Sequence, residues 1–133
     1  MKEIITELTG YLETIQNFDK EMSQDAGTLY VYIIELTQFM SRANFLMAEY
    51  SKKFREAKAA AYVKLSKSRH SEQRYYAPSL AKDYIDSQCS EEGYIYDLAE
   101  RLSRTCVHTI EGLRTIISSL KSERAFSVSP SDR

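Results

Sequence analysis

Between Leu29 and Ala61 the apolar residues keep a single register. Leu29, Ile33, Leu36, Met40, Ala43, Met47, Tyr50, Phe54, Ala57 and Ala61 follow one another in alternating steps of four and three. A strand would repeat every second residue, and chance apolar runs lose register sooner. The spacing therefore predicts a helix with one continuous buried stripe, from about Thr28 to Ser66. At 1.5 Å per residue that helix is roughly 55–60 Å long. A compact chain of 133 residues has no need of one so long. The expectation is an all-α fold: an elongated antiparallel helical hairpin or bundle, with coiled-coil-like helices, about three main ones. Within the stripe, large residues come first and Ala57, Ala60 and Ala61 come last, so the far end admits closer helix approach.

Two more amphipathic patterns flank this one. Ile4, Ile5, Leu8, Tyr11, Leu12, Ile15, Phe18 and Met22 trace a stripe over residues 1 to about 22. A break at Ser23–Gly27 follows, and Asp25 or Thr28 can cap the next helix. The third pattern runs from about Ser79 to Ala125, with Pro78 suited to its first turn. Its broad apolar face comprises Ile95, Leu98, Ala99, Leu102, Cys106, Ile110, Leu113, Ile117 and Leu120. Ser90-Glu91-Glu92-Gly93 either breaks this pattern or holds a cap for a restart. Residues 67–77 lose the helical period and read as an exposed connection. Residues 1–126 read as one helical domain and 127–133 as a disordered tail. Four glycines and two prolines are too few for the turns of an all-β chain. The central stripe and the broad last face together exceed what a short third helix can cover, which predicts a homo-oligomer.

Charge is sorted along the chain. Lys52 to Arg74 holds eight cations against Glu56 and Glu72, a net +6 in a chain of net charge −1, which leaves −7 elsewhere. A clustered basic segment is an electrostatic footprint for a polyanion. Tyr62, Tyr75 and Tyr76 lie among the cations, and such rings can stack on unpaired bases while the cations meet phosphates. The candidate nucleic-acid-binding residues are Lys53, Lys58, Tyr62, Lys64, Lys67, Arg69, Arg74, Tyr75 and Tyr76. The competing reading is a solvated helix face followed by a basic loop. A lesser basic set, Arg101, Arg104, Arg114, Lys121 and Arg124, lies on the last helix, where dipole complementation and i,i+4 pairing such as Asp97 with Arg101 suffice to explain it.

Signals for catalysis are missing from the sequence. There is no Gly-rich phosphate loop, no Gly-x-Ser-x-Gly, no His-Glu-x-x-His, and no Glu-x-x-His of the carboxylate-bridged bundles. His70, His108, Cys89 and Cys106 lack a metal-ligand spacing. The expectation is therefore a non-enzyme without catalytic residues, metal or other cofactor. Cys106 sits on an apolar stripe, which suits packing. The N-terminus lacks a signal-peptide core and no apolar run is long enough to span a membrane, so a cytoplasmic protein with free thiols is expected. The first helix carries Glu3, Glu7, Glu13 and Asp19 against Lys2 and Lys20, the wrong sign for an anionic lipid surface.

In layout the chain resembles the UvsY family of phage recombination mediators, which are small, mostly helical proteins of similar length. The resemblance rests on the basic stretch Ala57 to Leu65, the polar link after it, and the long last helix ending in basic residues and Phe126. It covers about three quarters of the chain. Where the family carries a Lys-Ala-Arg-Leu type motif, this chain reads Tyr62-Val63-Lys64-Leu65. Lys64 and Leu65 match in type, whereas Tyr62 stands where the family has a cation; Lys58 and Lys67 are placed to supply that charge from neighbouring turns. The resemblance implies a homo-oligomer in the host cytoplasm that binds single-stranded DNA, with RNA left open. It further implies partnership with a recombinase, which it helps to load, and with a single-strand-binding protein. The alternative is a coiled-coil adaptor or assembly protein of a phage or mobile element that binds no nucleic acid, its basic segment meeting an acidic partner.

Overall fold

The computed structural model describes residues 1–21, 25–72 and 78–127, with the side chains of 19–21, 68–72 and 124–127 left aside. Four helices follow in order: α1 (Lys2–Glu21), α2 (Ala26–Glu72), α3 (Pro78–Gln88) and α4 (Ser90–Ser127). No strand occurs among the described residues. The fold is all-α, and the expected hairpin of about three helices is met only roughly.

Asp25 starts α2. Its carboxylate accepts from the Gly27 and Thr28 amides at 3.4 and 3.3 Å and from the Thr28 hydroxyl at 3.0 Å, which satisfies donors the first turn would otherwise leave open. From there α2 runs 47 residues, about 70 Å. It passes Ser66, where the apolar period stops, and continues to Glu72. Of the expected connection at 67–77, residues 67–72 are helix, Arg69 and His70 among them, and residues 73–77 lie outside the described residues. Residues 67–72 contain neither Gly nor Pro, so propagating a helix already nucleated costs them little.

α2 and α4 form the long pair and run in opposite directions. Lys121 meets Tyr30, Ser103 donates to Asn44 at 2.8 Å, and Gly93 lies against Phe54. α1 lies along one end of that pair, antiparallel to α2. Tyr11 stacks on Phe39 and Phe18 on Tyr32, each with ring centroids 4.3 Å apart. Arg42 donates its Nε–H to both Glu7 oxygens at 3.0 Å. The core gathers Leu8 and Ile15 from α1, Leu29, Leu36, Leu46 and Tyr50 from α2, and Ile95, Leu102, Cys106 and Leu113 from α4.

The central stripe lies inward as its register predicts: Leu29, Leu36 and Ala43 are fully buried. The reason given for self-association does not hold, however. The stripe and the broad face of the last helix cover one another within a single chain, because α4 is long enough to follow α2. The last pattern also divides in two. The chain turns at Cys89, whose amide donates to the Asp86 carbonyl at 3.2 Å, and the Gly93 amide then returns to the Cys89 carbonyl at 3.0 Å. Glu91 and Glu92 in the first turn of α4 favour that fresh start through the helix dipole. α3 buries none of its residues. The tail residues 128–133 lie outside the described residues, and Ser127, expected in the tail, ends α4.

Candidate nucleic-acid interface

The basic segment occupies the second half of α2, past the region that α1 covers. Neutral small residues, Ala57, Ala59, Ala60 and Ala61, keep this stretch helical while only Ala61 and Leu65 are buried. Cations therefore project from most sides of the helix, and their surroundings sort them into two groups.

The first group is already engaged. Lys53 contacts Glu49 at 2.9 Å and places its ammonium 4.8 Å from the Tyr50 ring centroid. The Glu49 contact is the main reason its affinity for the proton is raised. Lys52 lies 3.9 Å from Glu56. Lys58 reaches across to Asp86 of α3 at 4.0 Å and sits 4.6 Å from the Phe54 ring centroid. It thus sits where α2 meets α3, near buried Cys89, whose thiol pKa is raised chiefly by desolvation. An ammonium that is paired and stacked offers less field to an incoming phosphate.

Lys64 and Lys67 form the second group. Both are exposed, about one turn apart, and neither makes an ion pair among the described residues. Arg55 joins them: it is exposed, and its Nε donates only to the Ser51 carbonyl at 3.3 Å. Sequence reasoning placed Arg55 in the basic segment but not among the binding residues. What marks it is the spacing to Tyr62, seven residues or nearly two turns on, which puts both on one side. Lys53, Lys64 and Lys67 share another side, and Val63 projects between the two. Tyr62 and Val63 are 60% and 53% exposed, too open to be core.

The structure thus divides the predicted cluster. Lys64 and Lys67 stay together, with Tyr62 across the helix beside Arg55; Lys53 shares the side of the two lysines but is paired; Lys58 is half-buried and leans toward α3. Arg69 lies in α2, but its side chain is not among those described, and Arg74, Tyr75 and Tyr76 lie outside the described residues.

The lesser basic set differs. Arg104 is held by Glu100 at 2.6 Å, Lys121 lies over Tyr30, and His108 is 3.9 Å from Glu111. Asp97, Arg101, Arg104 and His108 line a shallow open depression on α4. The expected Asp97–Arg101 ion pair is not formed. Among the described residues no group of three or more His, Cys, Asp or Glu side chains is arranged to hold a metal ion. No helix there is long and apolar enough to cross a membrane. Comparison of the chain with protein-family models, with curated proteins and with solved structures found no match.

Proposed function

We propose that the second half of α2 binds single-stranded nucleic acid, and that the protein is an accessory factor of the recombination-mediator kind. It would act in the cytoplasm as a homo-oligomer, assisting a recombinase and a single-strand-binding protein. One observation carries the reading: Lys64 and Lys67 are exposed, free of acid partners among the described residues and one turn apart, with exposed Tyr62 on the same stretch. Free ammonium groups release counterions on meeting phosphates, and an exposed phenol ring supplies a sequence-tolerant stacking surface. Several copies acting together would multiply a patch that is small in one chain.

The test is fluorescence anisotropy of a labelled oligothymidine titrated at several salt concentrations. Affinity is expected to fall linearly on a log–log plot. Removing two phosphate contacts with Lys64→Ala and Lys67→Ala should reduce the slope by about 1.4 per bound protomer. Tyr62→Ala should weaken binding with the slope nearly unchanged. No binding by the wild type at low salt refutes the reading. The exposed apolar side chains along α2 favour the second reading, an adaptor or assembly protein whose basic segment meets an acidic partner.

A further inference from the structure

α2 carries a second apolar track, on the side facing away from α1 and α4. Val31, Ile34, Phe45, Ala48, Ala59 and Val63 all lie on it and all are exposed, the four larger ones by 53 to 60%. Their positions fit steps of four and three, once Gln38, Ser41, Lys52 and Glu56 fill the intervening places, and those four are exposed as well. Six of the ten large apolar side chains exposed among the described residues belong to α2. Single exposed apolar residues are ordinary, but a run in helical register over about 48 Å is not.

We propose that this track is the seam of an antiparallel pairing between the α2 helices of two copies of this chain. The track is complementary to itself when reversed about a two-fold axis near Leu46 and Met47. Val31 then falls opposite Val63 of the second copy, Ile34 opposite Ala59, and Phe45 opposite Ala48. Two of these three pairs set a large side chain against a small one, as interdigitated helices require. The polar places match too, Gln38 with Glu56 and Ser41 with Lys52.

Charge selects the orientation. A parallel pair would lay the basic second half of α2 against its own copy, cation beside cation. The antiparallel pair lays it beside the other copy's first half, where α1 is docked with five acids against two lysines. The flank is right as well. Arg42 marks the α1 side through Glu7, and Lys53 and Lys64 follow it by eleven and twenty-two residues, close to whole turns. Equivalent flanks face each other across a two-fold axis, so these lysines come alongside the second copy's acidic α1.

The proposal rests on the self-association part of the functional reading and not on nucleic-acid binding. Its test is the mass of the full-length protein by light scattering at high micromolar concentration, with Phe45→Glu, Val63→Glu and, off the track, Tyr94→Glu. The wild type and Tyr94→Glu should be oligomeric, with a twofold drop in mass for Phe45→Glu and Val63→Glu at unchanged helicity by circular dichroism. Orientation is read by oxidising a mixture of Val31→Cys and Val63→Cys chains. Antiparallel pairing links one variant to the other, whereas homodimeric links of Val31→Cys overturn it. A monomeric wild type overturns both the pairing and the self-association it rests on. An oligomeric wild type whose mass survives both glutamates overturns this surface alone. Loss of oligonucleotide binding in an intact dimer counts against the functional reading and leaves the pairing standing.

Discussion

The two ends of the α2–α4 pair are built differently from the same kind of helix. At the α1 end three helices enclose a core, two aromatic pairs stack at 4.3 Å, and Arg42 donates its Nε–H to Glu7 across the helix gap. At the other end α2 thins to alanine, α3 contributes no buried residue, and cations crowd the surface. One end has apolar area to bury, and its charges are of both signs. The other holds like charges close together with little burial to offset their repulsion. Stability should therefore concentrate at the α1 end, and the basic end is free to use its charge on a partner.

The largest test of that contrast is a pair of truncations. Leu102 is fully buried in the main cluster, whereas Leu65 is buried outside it. Leu102→Ala should lose about 3–5 kcal/mol in urea unfolding and Leu65→Ala clearly less, because a thinly covered site can collapse around the deletion. Equal losses would mean that the basic end is as tightly packed as the rest.

The second test uses pH. Burial pushes the Cys106 thiol from 9.0 up to about 11. Below pH ~7.5 the thiol is almost wholly protonated in both states and has almost no effect. Above that the unfolded chain loses its proton first, so the unfolded state gains and stability falls until the folded thiol also ionises. The expected loss is about 1–2 kcal/mol by pH 10. Cys106→Ala should flatten this decline in the urea midpoint. The residual slope would come in part from Tyr11, whose phenol is also raised, first by burial and then by Glu7. An unchanged slope would mean that the core around Cys106 admits water.

How much of this contrast the sequence disclosed depends on what burial leaves in the letters. The inward stripe was legible because Leu29, Leu36, Ala43 and Tyr50 face a core, and a core selects residues by periodicity. The outer track was not, since Gln38, Ser41, Lys52 and Glu56 interrupt it and it shows only once the inward face is known. Helix beyond Ser66 was hidden for a related reason: residues 67–72 carry no apolar residue, so there is no period to read. In the candidate site, the pairing of Lys53 with Glu49 was open to i,i+4 reasoning. The Lys58–Asp86 contact was not, because it depends on α3 packing against α2, which no spacing in the sequence reports.

A third prediction concerns ion pairs at the two ends. The Glu7–Arg42 pair shares one Nε–H between both carboxylate oxygens and joins two helices, with side chains 26% and 39% exposed. A double-mutant cycle with Glu7→Gln and Arg42→Met should give a coupling of about 0.5–1 kcal/mol, limited by solvent screening. The Lys52–Glu56 pair, 3.9 Å apart and mostly exposed, should give a smaller coupling that vanishes in high salt. Comparable couplings would remove the electrostatic side of the comparison.

The smallest effect distinguishes how closely helices approach. Gly10 and Gly112 have nothing within 4 Å of where a Cβ would sit, so alanine there removes backbone freedom from the unfolded chain and meets no neighbour. Each replacement should raise stability by about 0.5–1 kcal/mol. Gly93 faces the Phe54 ring, where a Cβ would lie 2.9 Å from Cε2. That ring is also the surface against which Lys58 rests. Gly93→Ala must displace it, so the gain seen at the other two glycines should be cancelled or reversed. The decisive variant combines Gly93→Ala with Phe54→Leu: relative to Phe54→Leu alone, the alanine should recover the full gain in urea midpoint. If Gly93→Ala stabilises the wild type as much as Gly10→Ala does, the ring yields freely, and α4 does not depend on a glycine to approach α2 at the basic end.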